Sequence, residues 1–106
     1  MTRRRLPRIA ALSGPEAALA HHLDVPSPVP SGADALTWTL TLLDAGGVPL
    51  AESRATSPDF PVPLADIAQT HLDVVGLAQA GGWEPVPTAD GGARYRAPVR
   101  ATPPPV

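Results

Sequence analysis

Three histidines, five serines and a cluster of alternating arginines are the groups in this chain that could do chemistry. His71 falls in the middle of an apolar helical stripe, where an imidazole is kept neutral or bonded to a strand carbonyl. The spacing of His21 and Asp24 places them on one helical face, and with His71 they could make a two-histidine, one-carboxylate metal set. Histidines near a helix C-terminus also arise simply by complementing its dipole, so no metal ligand is assigned. Ser13, Ser27, Ser31, Ser53 and Ser57 lie in no nucleophile elbow. The glycine pairs precede no helix and the chain has no lysine, which excludes a P-loop. No catalytic residue and no cofactor is expected, and the chain reads as a non-enzyme.

Arg94, Arg96 and Arg100 surround Tyr95. Strand alternation sends Arg94 and Arg96 to the face opposite Tyr95, whereas a single-stranded nucleic acid needs base-stacking and phosphate groups on one exposed face. Pairing of Glu84 with one of these arginines across a hairpin is the ordinary alternative. Asp59, Asp66 and Asp73 recur at heptad spacing, an acidic stripe that is either a solvated helix face or a mimic of phosphates.

Charge is divided along the chain. Residues 1–8 hold four arginines and residues 94–106 hold three, with no acid in either, while residues 9–93 hold all ten carboxylates against Arg54 alone. The net charge of −2 therefore conceals an acidic body with basic ends. Such ends can reach for an anionic partner through Arg3, Arg4, Arg5, Arg8, Arg94 and Arg96, or fold back on the body. No cysteine is present, which removes disulfides and thiolate chemistry. Pro7, Arg8 and Glu16 interrupt the apolar run that a signal peptide starting at Met1 would need, and no run reaches transmembrane length, so a cytoplasmic protein is expected.

The elements that must position these groups follow from local pattern. Ser13-Gly14-Pro15-Glu16 fits a capping box and opens a short helix over residues 13–24, after a basic arm over residues 1–12 that could hold a short strand at Arg8–Leu12. Prolines at every second position make residues 25–33 an extended, solvated linker. Leu36, Trp38, Leu40 and Leu42 alternate with Thr37, Thr39 and Thr41, giving a half-buried strand that turns at Asp44–Gly47 and returns over Val48–Thr56. Pro63 opens an amphipathic helix that should run to Ala80, with Leu64, Ile67, Ala68, His71, Leu72, Val74, Val75 and Ala78 inward. Trp83–Pro87 and Ala93–Val99 form a second hairpin, whose Pro85 and Pro87 mark an outer edge. Residues 101–106 form a proline-rich tail expected to be disordered or extended.

The fold expected is α+β: a short N-terminal helix, then ββαββ over residues 34–100, with the central helix packed on an antiparallel sheet. Trp38, Trp83, Tyr95, Phe60 and the leucines should carry most of a thin core. The back of the first hairpin, with Thr37, Thr39 and Thr41 facing Ala51, Ser53 and Ala55, is expected to be flat and uncharged, covered by the first helix or by another chain. Those residues, with Ser53, make the candidate partner surface of a small interaction or accessory protein, possible partners being another protein or a second copy. The alternatives are a nucleic-acid-associated protein acting through its basic ends, and an acidic-face decoy of a basic protein.

Overall fold

The computed structural model describes residues 6–32, 34–58, 63–87 and 93–102. Their elements are a 3₁₀ turn (Ile9–Ala11), α1 (Gly14–Ala17), β1 (Ala20–Pro26), β2 (Val29–Pro30), β3 (Ala35–Asp44), β4 (Pro49–Pro58), α2 (Leu64–Asp73), β5 (Leu77–Gln79), β6 (Glu84–Pro87) and β7 (Ala93–Ala101). All pairings among the seven strands are antiparallel. The α+β class holds, with more strands than the expected ββαββ.

β1 and β2 lie along the same side of β3, and β5 and β6 along the same side of β7, so the sheet has five columns: β4, β3, β1 with β2, β7, and β6 with β5. The hairpin β3–β4 forms as its alternation predicts. Asp44 secures the turn, its Oδ1 accepting from the amides of Gly46 and Val48, each at 2.9 Å, an arrangement that short aspartate side chains favour. The hairpin β6–β7 also forms. Ala80 N donates to Pro98 O at 2.7 Å, so even-numbered β7 residues point their polar groups toward β5 and β6. Pro85 and Pro87 therefore fall where their missing N–H groups would face away from β7, and β6 is the blunted outer edge.

Three expectations need correction. The helix read over residues 13–24 is only the four-residue α1; its capping box is real, with Ser13 N donating to Glu16 Oε1 at 2.9 Å and Glu16 N to Ser13 Oγ at 3.2 Å. The Ser13 backbone amide first, and its side chain second, hold the Glu16 carboxyl below the ordinary glutamate range. From Ala20 the chain becomes the central strand, because Leu23 and Val25 alternate into the core and two neighbours, β3 and β7, hydrogen-bond it. The proline-rich segment over residues 25–33 is accordingly exposed over Val29–Pro30 as expected but not a free linker: Val25 is fully buried, and Val29–Pro30 pair with Leu36 and Thr37. Finally, the central helix ends at Asp73 rather than Ala80, since Gly76 takes a φ of +71° and closes the last turn with Gly76 N donating to Asp73 O at 3.2 Å. Ala78 then belongs to β5, and Val74, expected inward, is exposed.

The stretch read as an arm over residues 1–12 also contributes to the fold where it is described. The strand expected at Arg8–Leu12 is a 3₁₀ turn, and Ile9 is fully buried in the core. Glu52 N donates to Pro7 O and Ile9 N to Ser53 Oγ, each at 2.9 Å, which ties this segment to the outer side of β4. At the other end β7 runs to Ala101, and Thr102 N donates to Gly76 O at 2.8 Å; residues 103–106 of the expected tail lie outside the described residues.

The core lies between α2 and one face of the sheet. Leu23, Val25, Leu40, Leu42, Ala51 and Val99 meet Ile9, Ala68, Leu72 and Leu77 there. Trp38 and Trp83 are half-buried against this cluster, Tyr95 is exposed and Phe60 lies outside the described residues, so among the described residues aliphatic side chains rather than aromatic ones fill the centre. Each large aliphatic side chain fully buried contributes about 1.5–3 kcal/mol. No helix among the described residues is long and apolar enough to cross a membrane.

Candidate functional site

The sheet face opposite the core is assembled by strand register. Leu40 pairs with Ser53 and Leu42 with Ala51 on the core side, so Thr37 faces Thr56, Thr39 faces Arg54 and Thr41 faces Glu52 on the other. The expected partners Ala51, Ser53 and Ala55 are therefore on the wrong face. Opposite the Leu42–Leu43 step the pairing skips Leu50, a bulge that adds one residue to β4, and an added residue exchanges the two faces of everything beyond it. Ser53 leaves the candidate surface for the core side, where its hydroxyl receives the Ile9 amide.

The corrected face is polar and charged. One row crosses all five columns: Glu84 beside Arg96, Arg96 beside Asp24, Asp24 beside Thr41, Thr41 beside Glu52. Another places Val29 beside Thr37 and Thr37 beside Thr56, with Val29 64% exposed. Thr37, Thr39 and Thr41 are each half-buried. α2 and the 3₁₀ turn pack on the Leu40 side, and α1, with four residues, has no face long enough to cover five columns.

At the centre of this face lies the constellation that local pattern did not reveal. Asp24 is 5% exposed. Its Oδ2 is 3.0 Å from Arg94 Nε, and its Oδ1 accepts from Arg96 Nε at 3.4 Å. The Arg94 contact is an ion pair whose angle falls short of a hydrogen bond, leaving that buried Nε without an acceptor. The two arginine side chains are 39% and 37% exposed, so a nearly dry carboxylate carries two half-wet guanidinium groups. The signal for this was present as two alternations, His22-x-Asp24-x-Pro26 and Arg94-x-Arg96, which match in register only when β1 and β7 are neighbours.

The other candidates are dispersed. His21 is exposed and its Nδ1 lies 3.0 Å from Nδ1 of His22, with the ring centroids 4.5 Å apart. Burial first, then the neighbouring His21 and Arg96, lower the His22 pKa. Asp24 is taken by arginines and His71 is half-buried on α2, so the imagined His21–Asp24–His71 set does not come together, and among the described residues no group of three or more His, Cys, Asp or Glu side chains is placed to hold a metal. His71 makes no hydrogen bond among the described residues. Ser13 is a helix cap. Ser57 Oγ accepts from Trp38 Nε1 at 2.8 Å.

No protein-family model, curated protein or solved structure matches the chain. The surface itself must therefore carry the functional argument. Asp66 and Asp73 are exposed on α2, with Asp73 accepting from Gln69 Nε2 at 2.6 Å. Asp59 and Arg3, Arg4 and Arg5 lie outside the described residues, while Arg8 is exposed beside the 3₁₀ turn.

Proposed function

We propose that this chain is a small non-enzymatic interaction protein that docks a protein partner, or a second copy of itself, on the sheet face bearing Thr37, Thr39 and Thr41. The observation that carries the reading is the placement of both α2 and the 3₁₀ turn on the opposite face, which leaves the threonine face with exposed Val29 and without cover from either element. β-branched side chains on a twisted sheet are stiff, so little conformational freedom is lost when such a face is covered. The nucleic-acid alternative is weakened at the C-terminal arginines, because Arg94 and Arg96 share Asp24 and Arg96 stands in a row with Glu84 and Glu52.

The test is size-exclusion chromatography with light scattering on the purified chain, together with co-purification from its host, for the native sequence and for Thr39→Arg. A dimer or a retained partner that Thr39→Arg releases supports the reading. A monomer with no partner, or a partner indifferent to Thr39→Arg, removes it.

A further inference from the structure

The Asp24 constellation has more donors than its carboxylate uses. Both contacts to Asp24 are made through Nε, and among the described residues neither guanidinium makes any other hydrogen bond. Among the described residues the Nη groups of Arg94 and Arg96 thus have no protein acceptor, on side chains that are 39% and 37% exposed and project from one face of β7. A carboxylate that is 7% exposed fixes their bases, and guanidinium groups fixed in this way lose little freedom when they bind a planar oxyanion.

Charge decides which oxyanion. Two guanidinium groups on one carboxylate leave a single positive charge at the pair. Glu84 stands beside Arg96 on β6, and Glu52 lies across Thr41 at the far end of the row. A polyanionic strand laid along this row would meet Glu84 and Glu52 on either side of Arg96. One carboxylate would meet only the arginines and the Thr41 side of the face. We propose that Arg94 and Arg96, seated on Asp24, form a receptor for a single Asp or Glu side chain of the protein partner. The proposal rests on the docking reading above and names the chemistry by which that partner is recognised.

The probe is the blocked tripeptide acetyl-Gly-Glu-Gly-amide, with acetyl-Gly-Gln-Gly-amide as its neutral twin and a short oligothymidylate as the phosphate arm. The readout is the Nε–H resonances of Arg94 and Arg96 in ¹⁵N-labelled full-length protein. The glutamate peptide is expected to shift both resonances saturably and the glutamine peptide neither. Arg96→Lys keeps the charge beside Asp24 but loses the planar fork, and should weaken binding by about tenfold. Asp24→Asn raises the local charge and should let oligothymidylate compete where it could not before. Absence of saturable shifts, equal response to both peptides, full binding by Arg96→Lys, or tighter binding of oligothymidylate to the native pair would each overturn the proposal. The two readings fail separately: a partner still held by a chain that ignores the glutamate peptide leaves the docking face standing, and peptide binding by a chain without partner or dimer leaves only the receptor.

Discussion

Trp38 and Ser57 are joined across the first hairpin, the indole Nε1 donating to the serine Oγ at 2.8 Å. Ser57 is 7% exposed, so water cannot readily replace its hydroxyl. Ser57→Ala should leave the indole N–H without its acceptor and cost about 1–3 kcal/mol, read from denaturant unfolding. Tryptophan fluorescence should change together with stability, because the same substitution alters the polarity around Trp38. A variant as stable as the native chain would show that the indole finds water instead.

Asp24 and its two arginines are unequal in what their loss exposes. Arg94→Gln/Arg96→Gln leaves a carboxylate in the central strand with neither ion-pair partner, a situation that costs about 3–5 kcal/mol for a fully buried charge. Asp24→Asn leaves two arginines that are each more than one third exposed and can turn to solvent, so its cost should be distinctly smaller. Urea unfolding of the two variants checks the order, and a more damaging Asp24→Asn would mean that the arginines are held from water more tightly than their exposure indicates.

What the sequence discloses here is set by how local each cause is. The Asp44–Gly47 turn, the capping box at Ser13 and Glu16 and the edge prolines Pro85 and Pro87 act within a few residues, and each is found where its pattern places it. The strand identity of Ala20–Pro26 depends on β7, whose Arg96 is 72 positions from Asp24, and no short window contains both. Helix-capping residues just upstream made a longer helix the natural reading, although tertiary pairing of Leu23 and Val25 decides the outcome. The threonine face was legible on β3 alone. Its partner strand was not, because the single extra residue on β4, Leu50 opposite the Leu42–Leu43 step, brings Glu52 and Arg54 to that face in place of Ala51 and Ser53.

His22 links the candidate face to pH. Burial, His21 and Arg96 favour its neutral form in the folded chain, with Glu84 opposing them. The unfolded chain therefore binds the proton more readily, and the contribution of His22 to stability is complete above the ordinary imidazole value and declines as pH falls through the window down to its folded value. Thermal unfolding at neutral pH and at about pH 5 should show a loss of stability that His22→Gln reduces. An unchanged pH dependence in His22→Gln would show that His22 does not carry the acid sensitivity, and Glu16, held below the ordinary glutamate range, loses its contribution only at lower pH.

Gly81 sits where the chain passes from β5 to β6 beside Pro98 of β7. A Cβ at Gly81 would lie 2.8 Å from Pro98 Cγ and 3.4 Å from its Cδ. The pyrrolidine ring cannot swing aside as a long side chain can, and Pro98 is held in register on its other side by His22. Gly81→Ala should therefore force β5 and β6 away from β7 and cost about 1–3 kcal/mol. Gly82→Ala, with nothing within 4 Å of its new methyl group, is the control and should be nearly neutral. Amide exchange across β7 distinguishes the two causes of any loss: displacement of the edge accelerates exchange at Arg96 and Arg100, whose polar groups face β6 and β5, while Leu23 and Val25 in the central strand keep their protection.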